Sequence, residues 1–142
     1  MRITDVLRRK GDLVVTITSE DTVRALLDAL AEHKVGALVV TTAEGSVEGI
    51  VSERDVVRHL QARGEAVLDQ PVGAIMTSPV HTAQPETSLD ELMVLMTQRR
   101  IRHVPVVVDD RLAGIISIGD VVKHRIEELQ SERDQLTAYI QQ

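Results

Sequence analysis

Apolar and polar positions along this chain follow two periods, one helical and one strand-like, in a fixed order. Residues 12–17 are apolar and β-branched, as in a short strand, and residues 23–30 place Val and Leu on one face of a helix of about three turns. Two apolar runs, 34–42 and 47–51, flank a Glu-Gly-Ser turn and predict a hairpin. A second helix is expected over residues 55–64, which end in a glycine. The predicted order is therefore β-α-β-β-α.

The same order occurs a second time. Residues 80–124 align with residues 14–59 at a shift of 66 before the hairpin turn and 65 after it, so Asp120 corresponds to Asp55. Such an internal repeat sets the architecture. Because a unit of about 60 residues buries only a marginal core alone, the two units are expected to share one. We predict an α/β fold in which two β-α-β-β-α repeats pack about a pseudo-twofold axis, with two equivalent clefts between them and a C-terminal helical extension.

The repeat and the composition of the intervening segments suggest the boundaries. Repeat 1 is assigned to residues 1–66, including a short amphipathic helix over 3–9. A linker with two prolines follows over 67–79, then repeat 2 over 80–127 and a helical tail over 128–142.

The tail departs from the repeat because no glycine stops the helix after Asp120, and the helix is expected to run to about Ile140. Its seam has heptad spacing with one arginine in it: Val122, Ile126, Leu129, Arg133, Leu136 and Ile140. So short a seam leaves two alternatives open, packing on the protein itself or on a partner subunit.

Composition and charge narrow the function classes. The chain has 142 residues, a net charge of −6, no cysteine, and one tyrosine as its single aromatic residue. Disulfides and thiolate chemistry are therefore excluded. With no signal peptide and no apolar run long enough for a bilayer, a cytoplasmic protein without a membrane partner is expected. The acidic charge and the lack of aromatics disfavour nucleic acid, although residues 99–103 form a local basic cluster.

The candidate chemistry lies in a duplicated motif, Gly-apolar-apolar-Ser-x-x-Asp, at residues 49–55 and 114–120. Each copy ends a strand at a hydroxyl and starts a helix at a carboxylate. A helix N-terminus with a hydroxyl can hold a phosphate, and an aspartate can accept hydrogen bonds from the two hydroxyls of a ribose. The same spacing also describes a capping box without any ligand. Duplication copies caps as well as sites, so the motif alone does not separate the two.

Other chemistries find little support in the sequence. The five histidines include no pair at HExxH spacing and no cluster with metal-ligand spacing, so no metal site is predicted. We find no Ser-His-Asp order, no activated nucleophile and no Walker-type phosphate loop. The chain is expected to have no catalytic activity.

The motifs together resemble the cystathionine β-synthase (CBS) domain family. The matching pieces are Asp5-Val-Leu, Ala74-Ile-Met-Thr77 with Pro79, Arg102-His-Val-Pro-Val-Val107 and both Gly-to-Asp segments. The resemblance covers about Asp5 to Ile126, and the chain looks like one tandem CBS pair, a Bateman module, of the stand-alone bacterial type. Val39 stands where the second repeat has Pro105, which is a departure from the family pattern.

The resemblance implies a regulatory module that binds adenosine derivatives: AMP, ADP or ATP, with NAD(H) and S-adenosylmethionine as further ligands of the family. It also implies clefts that draw on both repeats. One would combine Ser52, Arg54 and Asp55 with Thr82, Ala83, Arg102 and His103. The other would combine Ser117 and Asp120 with Thr16, Ile17, Gly36 and Ala37. A homodimer is implied as well.

The two clefts are not expected to be equal. The Asp55 cleft has cationic side chains for a phosphate, and charge-assisted contacts are the stronger ones, so tighter nucleotide binding is predicted there. The leading function is a non-catalytic sensor of adenine nucleotides that acts through its oligomer or a separate effector protein. The alternatives are a ligand-free interaction protein that works through its dimer surface or its tail helix, and a nucleic-acid binder.

Overall fold

The fold was analysed in a computed structural model, which describes residues 1–11 and 14–141. Its helices and strands run in the order α1 Ile3–Lys10, β1 Thr16–Ile17, α2 Val23–His33, β2 Ala37–Thr41, β3 Val47–Ser52, α3 Glu53–Arg63, α4 Leu89–Arg99, β4 His103–Val108, β5 Arg111–Ser117 and α5 Ile118–Gln141. Two short 3₁₀ segments, Glu65–Asp69 and Val72–Ala74, lie in the linker. The predicted α/β class and the long C-terminal helix are confirmed.

The strands form two small sheets with matching topology. In the first, β1 pairs parallel with β2, which pairs antiparallel with β3. In the second, β4 and β5 form an antiparallel hairpin. The counterpart of β1 is reduced to a single parallel bridge, in which the Ala83 amide donates to the Pro105 carbonyl oxygen at 2.9 Å and the Val107 amide donates to the Ala83 oxygen at 2.9 Å.

Several element boundaries differ from those predicted. The strand expected over 12–17 is reduced to β1, and residues 12 and 13 lie outside the described part of the chain. The strand expected from residue 34 begins at Ala37, because Lys34 has a left-handed conformation (φ 54°) and ends α2. The helix expected from Asp55 begins at Glu53, because Ser52 is its N-cap.

The described residues form two hydrophobic cores, one in each repeat, instead of the single shared core expected from the sequence, and exchanged segments interlock them. Helix α1 precedes repeat 1, yet its buried Ile3 and Val6 pack into the core of repeat 2. Conversely, Val72 and Ile75 from the linker that precedes repeat 2 complete the core of repeat 1. Each repeat is thus completed by the segment that precedes the other one. The predicted boundaries group α1 with repeat 1 in sequence, whereas its contacts are with repeat 2.

The glycine of each duplicated motif is explained by this exchange. A Cβ on Gly114 would lie 2.6 Å from Cδ2 of Leu7 in α1. A Cβ on Gly49 would lie 2.8 Å from Sδ of Met76 and 2.8 Å from the backbone oxygen of Thr77. Both glycines therefore leave room for the exchanged segment to lie directly on the strand.

Substituting Gly114 with alanine is expected to loosen the packing of α1. The added methyl group overlaps Leu7, and overpacking of this kind costs about 1–3 kcal/mol in the free energy of unfolding. Urea unfolding followed by circular dichroism measures the loss. Gly119→Ala is the control, since its Cβ would approach nothing closer than Ser117 Oγ at 3.6 Å.

A double variant shows whether the loss of stability in Gly114→Ala comes from its contact with Leu7. Leu7→Ala removes the atoms that the new methyl group meets, so the costs of Gly114→Ala and Leu7→Ala should be less than additive. Full additivity, or an unchanged stability of Gly114→Ala, would contradict the packing argument.

Candidate functional site

The strand-to-helix turns are built in the same way in both repeats. The Ser52 amide donates to Asp55 Oδ2 at 2.8 Å, and the Asp55 amide donates back to Ser52 Oγ at 3.3 Å. In repeat 2 the Ser117 amide donates to Asp120 Oδ2 at 2.9 Å, and the Asp120 amide donates to Ser117 Oγ at 3.1 Å. Both motifs are therefore reciprocal caps.

Capping leaves one oxygen of each carboxylate without a hydrogen bond from the described residues. Among the described residues, the hydrogen bonds to Asp55 and Asp120 all fall on Oδ2. A carboxylate can accept about four hydrogen bonds. The second oxygen of each side chain is therefore available to a ligand, held in a fixed direction by the cap. Cap and binding site are compatible uses of one motif.

A cleft of about 560 Å³ lies over the Asp55 turn, between the two repeats. Its volume falls within the range of about 300–1,000 Å³ that is typical of small-molecule sites. The lining residues are Gly36, Ala37, Ile50, Ser52, Glu53, Arg54, Asp55, Val57, Arg58, Thr77, Arg100, Ile101, Arg102 and His103. Both repeats contribute, which is the general arrangement expected from the sequence.

Five of the seven residues predicted for the Asp55 cleft line it together: Ser52, Arg54, Asp55, Arg102 and His103. The other two, Thr82 and Ala83, are not among its lining residues. Ala83 is buried in the core of repeat 2.

The residues predicted around Asp120 are distributed differently. Gly36 and Ala37 line the Asp55 cleft, because β2 begins beside the end of β3 and Ala37 pairs with Ser52. Thr16 and Ile17 are not among the lining residues of that cleft, and Ile17 is buried in the core of repeat 1.

Ser117 lies opposite His103 in the β4–β5 pair. The starts of β2 and β4 therefore each adjoin the serine of their own repeat.

The cleft is rich in cationic side chains, which the sequence suggested only in part. Four arginines line it: Arg58 was not singled out from the sequence, and Arg100 was noted only as a member of the basic cluster at 99–103, not as a residue of the cleft. Arg58 follows Asp55 by three positions on α3, so helical spacing places it on the same face. Arg100 is the C-cap of α4 in a left-handed conformation (φ 53°), the counterpart of Lys34. The repeat alignment could have identified this position.

Thr77 was also missed from the sequence. It is brought to the cleft by a backbone bridge to β3, in which the Ile50 amide donates to the Thr77 oxygen at 3.1 Å and the Thr77 amide donates to the Ile50 oxygen at 2.9 Å. This bridge belongs to the exchanged linker, and sequence spacing carries no signal for it.

The pKa of His103 is lowered, which favours the neutral imidazole. Burial is the main cause that lowers its pKa, and the ammonium group of Lys10 lowers it further, while the Asp120 carboxylate opposes the shift. A neutral imidazole in the cleft beside Asp55 and opposite Ser117 can donate one hydrogen bond and accept another.

Asp120, unlike Asp55, forms an ion pair with a cationic side chain of the described residues. Lys10 at the end of α1 donates to Asp120 Oδ2 at 2.6 Å and to the Ile115 carbonyl oxygen at 2.9 Å. Burial of the Asp120 carboxylate opposes its ionisation, but hydrogen bonds from Lys10 and Ser117 outweigh this, and the pKa of Asp120 is lowered. Lys10 was not among the site residues predicted from the sequence.

The described part of the chain contains neither a candidate metal cluster nor a candidate membrane-spanning helix. No group of three or more His, Asp or Glu side chains within residues 1–11 and 14–141 is arranged to hold a metal ion. Among those residues, no helix combines the length and the apolar character needed to cross a membrane.

Comparison with solved structures agrees with this architecture. The CBS-domain containing protein ATU1752 from Agrobacterium tumefaciens superposes with a TM-score of 0.85 at 47% identity, covering 88% of this chain and 99% of that one. The CBS domain pair of protein MJ0100, solved in complex with 5′-methylthioadenosine and S-adenosyl-L-methionine, superposes with a TM-score of 0.81 over 90% of this chain and 98% of that one. At 23% identity, the second likeness shows the fold alone.

Sequence comparison identifies the family. The CBS domain-containing protein CBSX3, mitochondrial, of Arabidopsis thaliana is 39% identical over 98% of this chain and 71% of its own length. The CBS domain-containing protein YhcV of Bacillus subtilis is 28% identical over 80% of this chain and 79% of its own. The sequence model of the CBS domain matches twice, over residues 4–62 and 72–127. The chain belongs to the CBS domain family and carries the two repeats of a CBS pair.

Proposed function

We propose that this CBS pair is a non-catalytic regulatory module that binds an adenine nucleotide of the AMP, ADP or ATP class in the cleft beside Asp55. The observation that carries this proposal is the composition of that cleft. It joins a capped aspartate at a helix N-terminus in repeat 1 to cationic side chains of repeat 2. The MJ0100 complex supports it, because the same fold there holds two adenosine-containing compounds.

Each part of a nucleotide has a suitable group in the cleft. The free oxygen of Asp55 suits the two ribose hydroxyls, and Ile50, Val57 and Ile101 offer aliphatic surface for a purine. The phosphate would lie near the N-terminus of α3, where the helix dipole favours an anion, within reach of arginines such as Arg102. S-adenosylmethionine and NAD(H) share the adenosine part and are the next candidates.

Regulation would follow from the position of the ligand between the repeats. A nucleotide that contacts Asp55 in repeat 1 and Arg102 in repeat 2 favours the arrangement in which both groups reach it. It can shift the conformational equilibrium by no more than its difference in affinity for the two arrangements. The output would pass through a homodimer or to a separate effector protein, in the cytoplasm.

Asp55→Ala is expected to weaken AMP binding about tenfold or more, because hydrogen bonds to a charged group contribute about 1.5–3 kcal/mol. Isothermal titration calorimetry with AMP, ADP and ATP measures the change directly. Asp120→Ala is the matched control, since it removes the equivalent cap in the other repeat. We expect it to have the smaller effect, because four arginines line the cleft beside Asp55.

Two outcomes would count against this proposal. Unchanged AMP affinity in Asp55→Ala with loss in Asp120→Ala would reverse the order of the two clefts. No measurable binding of any adenosine compound to the unsubstituted protein would exclude the nucleotide sensor itself.

The pH dependence of binding should depend on His103. A bound phosphate favours the imidazolium form, so binding takes up a proton and the affinity for AMP should rise as the pH falls from about 8 to about 6. Without ligand, the lowered pKa of His103 stabilises the fold above the ordinary histidine pKa, and this contribution is lost as the pH falls.

His103→Gln tests this dependence. The affinities for AMP and for adenosine are measured by calorimetry as a function of pH. The pH dependence that AMP shows and adenosine does not should become weaker in the variant. A slope that is the same with and without the imidazole would assign the pH dependence to the phosphate group itself.

A second candidate function is protein–protein association through α5. Leu129, Leu136 and Ile140 are 50%, 63% and 80% exposed, although they belong to one heptad seam. This seam, the tail seam, has an apolar side and no covering element among the described residues. We propose a homodimer in which it takes part, and it is also the surface that a ligand-free interaction protein would use.

Leu136→Glu is expected to weaken self-association, because it places a charge in the middle of the tail seam. Sedimentation equilibrium over a range of protein concentrations gives the dimer dissociation constant. Gln135→Glu adds the same charge to the neighbouring exposed position and serves as control. An equal effect of the two variants, or a protein that is monomeric from the start, would remove the tail seam from the proposed dimer.

A further inference from the structure

The two aspartates of the duplicated motif differ in their contact with a cation. Asp120 carries the ammonium group of Lys10 on Oδ2 at 2.6 Å, whereas no lysine or arginine among the described residues forms an ion pair with Asp55. The Lys10 and Asp120 side chains are 35% and 22% exposed, so the pair is partly withdrawn from water. The two turns share their reciprocal amide bonds, while Asp55 also accepts a hydrogen bond from its own serine, Ser52 Oγ, at 3.0 Å.

The exchanged segments explain why one repeat has the lysine and the other lacks it. Leu7 lies on Gly114, and Met76 lies on Gly49, so these two side chains occupy equivalent places. Three residues after Leu7 stands Lys10, and three residues after Met76 stands Pro79. The position that places a cation on Asp120 is therefore occupied by an uncharged proline in the segment that packs on Gly49.

The ion pair is not needed to attach α1 to repeat 2. Ile3 and Val6 are fully buried there, and the backbone amides of Ile3 and Thr4 donate to Thr87 and Pro85 at 3.0 Å each. Lys10 extends from the last turn of a helix that is already anchored. Its ammonium group can therefore change partner without displacing the helix.

We propose that Lys10 makes the turn at Asp120 selective for ligands that carry an anionic group beside a ribose. This inference rests on the proposed nucleotide-binding function. A neutral nucleoside can reach the free oxygen of Asp120, but Lys10 offsets the charge of that carboxylate, so the ribose hydroxyls meet a weaker acceptor there than at Asp55. A nucleoside phosphate offers the ammonium group a second acceptor, so Lys10 becomes a contact of the ligand. Lys10 is thus a specificity-determining residue at the Asp120 turn.

The test compares adenosine with AMP after the first cleft has been disabled. Calorimetric titrations in an Asp55→Ala background give the ratio of the two affinities with Lys10 and with Lys10→Met, which keeps a long side chain without the charge. We expect Lys10→Met to bind adenosine about three times more tightly and AMP more weakly, so that the preference for AMP falls about fivefold or more, equivalent to roughly 1 kcal/mol.

Arg9→Met is the matched control. Arg9 is the neighbouring cation on α1 and forms an ion pair with Glu127 rather than with Asp120. It should leave the preference unchanged. Where Asp55→Ala lowers stability too far for titration, Asp55→Asn serves instead, because an amide oxygen can still accept the Ser52 amide.

The outcomes distinguish this inference from the proposed function. An AMP preference that is the same in Lys10→Met, or that falls equally in Arg9→Met, would overturn the role of Lys10. Binding to the unsubstituted protein that vanishes with Asp55→Ala would show that the Asp120 turn is not a site, and would overturn the inference while leaving the nucleotide sensor intact. A protein that binds neither compound before any substitution would overturn both.

Discussion

The structure depends on the close contact between each exchanged segment and the glycine of the opposite repeat. Leu7 lies on Gly114 and Met76 lies on Gly49, at distances that leave no space for a Cβ atom. A repeat of about 60 residues buries only a marginal core alone, and here each one is completed by a segment from outside it. The two halves are therefore joined through their cores as well as through the chain.

This interlocking brings the site together. The linker that supplies Ile75 to the core of repeat 1 continues to Thr77, which lines the cleft beside Asp55. Helix α1, which supplies Val6 to the core of repeat 2, ends at Lys10 on Asp120. The elements that stabilise the fold thus also place groups beside the two turns, and a movement of one repeat relative to the other would change both.

The cleft is rich in positive charge although the chain as a whole is acidic. The net charge is −6, yet four arginines line the space beside Asp55. Of the basic cluster at residues 99–103, Arg100, Arg102 and His103 face this space, where they suit an anionic small molecule. A concave site of limited volume suits a single nucleotide better than a polymer, which needs an extended basic surface.

The sequence by itself determined the duplication, the order of elements, the fold class and the family. Periodicity and repeat alignment depend on local spacing, which is fully visible in a chain. It also indicated Ser52, Asp55, Arg102 and His103, which the structure places around one cleft, although their role in binding stays a prediction.

The tertiary structure alone decided which segment completes which repeat. It placed Gly36 and Ala37 beside Asp55, through the pairing of β2 with β3, and it placed Lys10 on Asp120. It also reduced the first strand of repeat 2 to one bridge at Ala83. These features result from contacts between residues far apart in the chain, and no local pattern records them.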